Sequence, residues 1–199
     1  DVNTPSKAFG ELVEARRHTP SLDAAEVKAL LDAHADVVVL DARRSEEYRT
    51  MSIPTALSVP GGELVYRVQA AVPSPSSLVV VNCAGRTRSI IGAQSLVNAG
   101  IPNRVAALRN GTIGWTLAGF ALDHGQTRSA PAAPPDIADR SRVAARQVAE
   151  RAGVKRVASR DLAAWTDDDD RTTYRFDVRL QDEYARGHLP GFRSTPGGQ

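Results

Sequence analysis

Two short apolar runs without polar alternation, VVVL at 37–40 and LVVV at 78–81, limit the folds open to this chain. Such runs are typical of strands that are covered on both faces, as in a parallel sheet. Segments with apolar residues at helical spacing lie between and around them, such as LDAAEVKALLDA at 22–33 and SIIGAQSLVNAG at 89–100. Strands that alternate with helices predict a three-layer α/β domain with a mostly parallel sheet.

Shorter patterns predict the remaining elements and the domain boundaries. Helices are predicted in SEEYRT (45–50), GELVYRVQAAV (62–72), GWTLAG (114–119) and IADRSRVAARQVAERAG (137–153), and strands in ALSV (56–59) and RVAAL (104–108). From about Asp123 the chain becomes rich in Ala and Pro, which is typical of a linker. We therefore expect an N-terminal extension at 1–20, a domain at 21–125, and a linker with a helix at 126–154.

A repeat relates the middle of the chain to its end. Residues 40–63 align without a gap with residues 176–199, an offset of 136 positions, with nine identities over 24 positions. Fixed spacing over such a length is typical of duplicated domains. The same offset counted from Cys83 reaches position 219, so residues 155–199 are expected to be a partial second domain of a longer protein. Its apolar residues should then lie against the first domain or a neighbouring chain; they are Tyr174, Phe176 and Val178.

The single cysteine, Cys83, follows the second apolar run and opens the loop CAGRTR. In parallel sheets ligands bind beyond the carboxyl ends of the strands, which is where this loop should lie. Small residues in the loop let backbone N–H groups turn toward one point and form an anion-binding nest. Those residues are Ala84, Gly85 and Thr87. Arg86 and Arg88 add positive charge and Ser89 is expected to cap the next helix, so Cys83 is predicted to be a nucleophile rather than an inert thiol.

The loop resembles the active-site loop of the rhodanese family, and the likeness covers about residues 21–125 and, in part, 155–199. The further motifs that carry it are DARRSEEY (41–48), MSIPTA (51–56), RNGTIGWTLAG (109–119) and, in the second copy, GHLPGF (187–192). Each motif is weak alone, whereas their order and spacing together are specific. The resemblance implies a rhodanese-like domain with a mostly parallel five-stranded sheet, followed by a truncated second copy.

The resemblance also implies sulfur transfer without a cofactor. Cys83 would attack a small anionic sulfur donor such as thiosulfate, become a persulfide, and pass the outer sulfur to a thiol or cyanide-like acceptor. The groups that would hold the donor belong to Ala84, Gly85, Arg86, Thr87, Arg88 and Ser89. Asp41 and Arg43 are assigned a supporting ion pair at a strand end, and Trp115 a place in the core or the pocket wall. The four histidines lack metal-ligand spacing, so no metal site is expected.

Two other functions remain open. Cysteine phosphatases and arsenate reductases also hold a thiolate in an anion nest, but their signature needs Arg six positions after Cys, where this chain has Ser89. A non-catalytic binding or regulatory module is the second alternative, because tandem relatives can lose the cysteine from one copy. Cys83 is retained here, which argues against that alternative for the first domain.

Composition limits the partners and the compartment. A net charge of +2, with 5% aromatic residues and no long basic run, does not favour nucleic acid as a partner. A single cysteine cannot form an intrachain disulfide, and no apolar run approaches the length of a membrane span, so a cytoplasmic location is expected.

Overall fold

The computed structural model describes residues 4–196 and is built on a five-stranded parallel sheet in the order β1-β5-β4-β2-β3. The strands are β1 (Ser21–Leu22), β2 (Val37–Asp41), β3 (Leu57–Ser58), β4 (Leu78–Asn82) and β5 (Val105–Leu108). The two apolar runs form β2 and β4, which pair in the centre of the sheet with Val38 opposite Val79. The predicted α/β fold with a five-stranded sheet is confirmed.

Helices cover both faces of this sheet. They are α1 (Pro5–Arg17), α2 (Ala24–Asp32), α3 (Ser45–Thr50), α4 (Leu64–Ala71), α5 (Thr87–Ala99), α6 (Gly111–Leu117) and α7 (Pro135–Arg151), with a 3-10 turn at Gly61–Glu63. On one face, α4 and α5 pack on Val79 and Val81. On the other face, α2 and α6 pack on Val80, because successive strand residues point to opposite sides. Both faces of β4 are therefore buried, as its apolar sequence predicts.

The segment predicted as one helix over 22–33 contains a strand residue and then a helix. Leu22 belongs to β1, which pairs with β5, and α2 begins only at Ala24. Asp23 ends the strand segment because its carboxylate accepts the Glu26 N–H at 2.9 Å, while the Glu26 carboxylate accepts the Asp23 N–H at 2.7 Å. This capping box fixes the helix start.

Within the described residues, the predicted N-terminal extension packs against the first domain. Its residues 5–17 form α1, which packs along α5. Gly10 permits the close approach, since a Cβ there would lie 3.1 Å from the Cα of Thr87. The predicted extension therefore reaches the first turn of the helix that follows the Cys83 loop.

Much of the predicted linker also packs against the first domain. The Ser58 N–H donates to the Arg128 carbonyl at 2.9 Å, and Ala130 is buried in the core cluster of α4 and α5. Helix α7 then lies on α4 and α5, with Ser141 fully buried. A stretch rich in Ala and Pro is thus anchored to the sheet edge and to two helices.

The last described residues repeat the geometry around β2 and β3. They comprise α8 (Ser159–Thr166), β6 (Phe176–Asp177), α9 (Gln181–Arg186) and β7 (Arg193–Ser194), and β6 pairs with β7 in parallel. Three contacts recur at an offset of 136. The ion pair of Arg43 with Asp41 corresponds to that of Arg179 with Asp177, and the hydrogen bond from Arg43 to the Met51 carbonyl corresponds to that from Arg179 to the Gly187 carbonyl. The hydrogen bond from Tyr48 to the Ala56 carbonyl corresponds to that from Tyr184 to the Phe192 carbonyl. Gly197 and Gly198, which the repeat aligns with Gly61 and Gly62, lie outside the described residues.

The described residues of this chain do not cover the apolar residues of this segment, and cover by a neighbouring chain stays a prediction. Tyr174, Phe176 and Val178 are 77%, 51% and 65% exposed. The physical reason is that β6 pairs only with β7, so the segment forms a two-stranded sheet without the neighbour that β4 supplies to β2.

Candidate active site

Cys83 lies at the carboxyl end of the central strand β4. The strand ends at Asn82, and α5 begins at Thr87 after the four loop residues 83–86. The thiol-bearing residue is 2% exposed. In a parallel sheet this edge is the place where ligands bind, so the predicted position of the loop is borne out by the fold.

The amide groups after Cys83 are available to an anion. Within residues 4–196, no acceptor is hydrogen-bonded to the N–H groups of residues 84–89. The N–H groups of residues 86–89 lie at the N-terminal end of α5, where N–H groups have no intrahelical partner and the helix dipole is positive. The loop therefore presents unpaired donors beside the thiol, which supports an anion site.

Each loop arginine is paired with a glutamate from another element. Arg86 Nη2 lies 2.5 Å from Glu14 Oε2 on α1, and Arg88 donates two hydrogen bonds of 2.8 Å to the two carboxylate oxygens of Glu47 on α3. The hydrogen bonds from Arg88 lower the pKa of Glu47 to about 2. The same bonds raise the pKa of Arg88. Arg86 and Arg88, which the sequence predicts to bind the sulfur donor, are thus held in place by carboxylates that the sequence did not identify.

The expected capping role of Ser89 is wrong. Helix α5 already begins at Thr87, and the fully buried Ser89 hydroxyl donates to the Arg86 carbonyl at 2.8 Å. A hydroxyl in the first turn faces the preceding carbonyl instead of the free N–H groups. Ser89 therefore braces the loop from within the helix.

A buried polar network supports the loop from below. Arg43 donates to both oxygens of Asp41, at 2.9 and 2.8 Å, and Asn82 donates to Asp41 at 2.8 Å and to Thr112 at 3.1 Å. Thr112 in turn donates from its hydroxyl to the Cys83 carbonyl at 3.1 Å. The predicted supporting ion pair of Asp41 and Arg43 exists and is buried, and it is connected to the Cys83 loop through Asn82 and Thr112.

The first turn of α6 fits tightly against the Cys83 loop. The N–H groups of Thr112 and Ile113 donate to the carbonyls of Cys83 and Ala84, at 2.8 and 3.0 Å. A Cβ on Gly111 would lie 2.2 Å from the Cys83 carbonyl oxygen, so only glycine fits there. Trp115, one turn later, is fully buried, and its indole N–H donates to the Ala121 carbonyl. Of its two predicted places, the core and the pocket wall, Trp115 therefore occupies the core.

A cavity of about 660 Å³ opens over the loop. Its lining comprises Ser6, Phe9, Gly61, Gly62, Cys83, Gly85, Arg86, Thr87, Arg88, Ile91, Gly92 and Ser95. Ala84 and Ser89 are not among these described lining residues; Ala84 lines a separate groove of about 220 Å³. The sequence did not predict that α1 forms a wall of the cavity. It did offer a sign of Gly61 and Gly62, because PGG occurs in both copies of the repeat.

Neither a metal centre nor a membrane span is evident in the described part of the chain. Residues 4–196 contain no group of three or more His, Cys, Asp or Glu that could hold a metal ion. No helix among them is both long enough and apolar enough to cross a bilayer.

The chain thus belongs to the class of α/β domains that carry a thiol at the end of a central parallel strand, followed by a loop of unpaired N–H groups. Residues 23–118 match the rhodanese-like domain family. This part of the chain is a rhodanese-like domain, as the motifs predicted.

Two solved structures are similar to the chain. A crystal structure of a thiosulfate sulfurtransferase from Pseudomonas aeruginosa is 67% identical, with a TM-score of 0.95 over 100% of this chain and 38% of its own. The chain therefore spans little more than a third of that protein. A protein of unknown function from Rhodopseudomonas palustris, described as a possible tyrosine phosphatase, is 26% identical with a TM-score of 0.51, over 62% of this chain and 97% of its own. The search of curated proteins gave no match.

Proposed function

We propose that the domain is a sulfurtransferase that moves sulfane sulfur from an anionic donor, such as thiosulfate, to a nucleophilic acceptor. The observation that carries the proposal is Cys83 in a cavity beside a run of unpaired N–H groups and two arginines. The identity to a thiosulfate sulfurtransferase over the whole chain supports it. These groups are suited to a negative charge attached to the cysteine sulfur.

In the first half-reaction, the Cys83 thiolate attacks the outer sulfur of thiosulfate. A new S–S bond forms, the S–S bond of thiosulfate breaks, and its electron pair leaves with sulfite. Arg86 and Arg88 hold the sulfonate oxygens of the donor and stabilise the leaving sulfite. The N–H groups of residues 84–89 donate hydrogen bonds to the persulfide that remains on Cys83.

In the second half-reaction, cyanide or a thiolate attacks the outer sulfur of the persulfide. The S–S bond breaks and its electron pair returns to the Cys83 sulfur, which restores the thiolate. No electrons enter or leave the enzyme over the cycle, so no redox cofactor or metal is needed.

The phosphatase alternative has the support of one relative's description, since the Rhodopseudomonas palustris protein is described as a possible tyrosine phosphatase. The chemistry of this loop favours sulfur transfer. Position 89, where the phosphatase signature needs arginine, holds a buried serine bonded to the Arg86 carbonyl. Arg88 lies one position earlier than that signature requires.

Thiocyanate formation from thiosulfate and cyanide tests the proposal. Cys83→Ser is expected to reduce the rate to the uncatalysed background while its thermal unfolding stays close to that of the wild type. Hydrolysis of p-nitrophenyl phosphate is measured in parallel on both proteins. Phosphate hydrolysis without thiocyanate formation would favour the phosphatase, and activity in neither assay would favour a non-catalytic module.

We further propose that residues 155–199 begin a second rhodanese-like domain of a longer cytoplasmic protein. The recurrence of ladder register and side-chain contacts at an offset of 136 supports the duplication. A single cysteine is compatible with a reducing compartment.

A further inference from the structure

The cavity above Cys83 is larger and more apolar than thiosulfate or cyanide requires. Its volume of about 660 Å³ falls within the range of pockets that take organic ligands, roughly 300–1,000 Å³. Phe9 and Ile91 give it apolar walls, and four glycines leave the space open. Thiosulfate and cyanide are charged and have no apolar surface, so the apolar walls do not help to bind them.

Helix α1 supplies one of these walls and is fixed to the catalytic loop at two points. Gly10 lies against Thr87, where a Cβ would come within 3.1 Å, and Glu14 pairs with Arg86 at 2.5 Å. Phe9, the residue before Gly10, lines the cavity and remains 55% exposed. A large aromatic side chain that the protein leaves uncovered beside a nucleophile is suited to contact a ligand.

We propose that α1 is a specificity element of this site, and that the acceptor is a thiol with an apolar body of about phenyl size that contacts Phe9 and Ile91. This inference rests on the proposed sulfur transfer. The acceptor thiolate attacks the outer sulfur of the Cys83 persulfide, the S–S bond breaks with its electron pair returning to Cys83, and the acceptor leaves as a persulfide. The donor's negative charge is held by the loop, so the apolar wall acts in the second half-reaction.

The test compares two acceptors of similar thiol acidity, benzyl mercaptan and 2-mercaptoethanol, in single turnovers. The protein is loaded with thiosulfate, freed of donor, and followed by intact mass as the extra sulfur leaves. Phe9→Ala is expected to slow transfer to benzyl mercaptan about tenfold, and transfer to 2-mercaptoethanol less than twofold. Loading by thiosulfate should be unchanged.

Leu12→Ala is the matched control. Leu12 lies on the same helix and is 46% exposed, but it is not among the described residues that line the cavity. It should leave both transfer rates unchanged. Equal slowing of both acceptors, no slowing of either, slower loading, or the same loss in Leu12→Ala would overturn the inference.

A second measurement separates this inference from the proposed function. Alkylation of Cys83 by N-benzyl iodoacetamide and by iodoacetamide needs no sulfur transfer. Phe9→Ala should slow the benzyl reagent selectively by a similar factor. If no persulfide forms on the unaltered chain, the proposed function fails, while the alkylation ratio still decides whether Phe9 forms an apolar ligand wall.

Discussion

Arg88 and Glu47 form an ion pair, and we expect both charges to affect the binding of a substrate anion. Removing Arg88 takes a cation from the site and leaves the Glu47 carboxylate without its bidentate partner. We expect Arg88→Ala to lower kcat/KM for thiosulfate about 10- to 100-fold, because a charge-assisted hydrogen bond contributes roughly 1.5–3 kcal/mol. Alkylation of Cys83 by neutral iodoacetamide should change less.

Two further variants separate the cation from the freed carboxylate. Arg88→Ala with Glu47→Gln should recover part of the loss, since the uncompensated negative charge is gone. Arg146→Ala, on the exposed side of α7, removes a positive charge elsewhere and should have no effect. Equal losses for thiosulfate and for the alkylating agent would mean that Arg88 acts on the thiolate instead of the donor.

The low pKa of Glu47 predicts how the free energy of unfolding depends on pH. The hydrogen bonds from Arg88 lower this pKa from 4.5 to about 2 in the folded chain, so the folded state favours the ionised carboxylate. The stabilisation is complete above the unfolded value and is lost as pH falls from about 4.5 through 2. Partial exposure reduces its size, and we expect Glu47→Gln to lower the free energy of unfolding by about 1–2 kcal/mol at pH 7.

Urea unfolding between pH 7 and pH 2.5 measures this difference, with Glu46→Gln on the exposed side of α3 as the control. The gap between wild type and Glu47→Gln should close in acid, whereas the control should differ little at any pH. A gap that persists unchanged at pH 2.5 would show that the ion pair is not its source.

Gly111 is expected to be irreplaceable because of the Cys83 carbonyl. A Cβ at Gly111 would lie 2.2 Å from that oxygen, and the residue has φ of +51°. Gly111→Ala must move the turn that binds Cys83 and Ala84, so it should cost about 2–4 kcal/mol in unfolding free energy and most of the thiocyanate activity.

Gly119→Ala is the matched control for the backbone strain alone. Gly119 has φ of +78°, but a Cβ there would meet no atom within 4 Å. It should cost about 1 kcal/mol and leave activity intact. Similar losses in both variants would contradict the steric argument.

At the scale of elements, the capping box of α2 predicts a purely structural effect. Asp23→Ala removes the carboxylate that accepts the Glu26 N–H. The loss should be about 1 kcal/mol of unfolding free energy, because one helix donor is left unpaired. Helix α2 packs on the sheet face opposite α5, so kcat/KM for thiosulfate should stay within twofold; a tenfold fall would show that this face is coupled to the site.

The elements that the sequence predicted are those with a strong local pattern. Continuous Val and Leu in β2 and β4 identify central strands, and the loop after β4 locates Cys83. Strand β1 has two residues and exists only through its pairing with β5, so no local pattern reveals it. Helix α1 likewise depends on a surface of α5 that forms only in the folded domain.

The parts of the site that the sequence did not reveal come from distant positions. Glu14 is 72 residues from Arg86, Glu47 is 41 residues from Arg88, and Asn82 reaches Asp41 across 41 residues. Many carboxylates in the chain could pair with an exposed arginine, and spacing does not select among them. Only the arrangement of α1, α3 and the strand ends selects these partners.

In the whole molecule, α7 packs on the first domain, and we expect it to contribute to that domain's free energy of unfolding. Ala130 is buried in its core and α7 covers α4 and α5, with Arg151 donating to the Asn98 carbonyl at 2.6 Å. A chain ending at residue 154 should therefore keep the thiocyanate activity and melt within a few degrees of the full chain. A chain ending at residue 129 should melt well below both, since it exposes apolar surface of α4 and α5. Equal melting temperatures for the two truncated chains would contradict this division.

Intact mass spectrometry after thiosulfate treatment shows directly whether Cys83 carries sulfur. We expect one added sulfur atom on the wild-type chain, loss of that sulfur on addition of cyanide, and no addition to Cys83→Ser. A wild-type chain that gains no sulfur while its thiol remains reactive toward iodoacetamide would show that Cys83 is not a sulfur carrier.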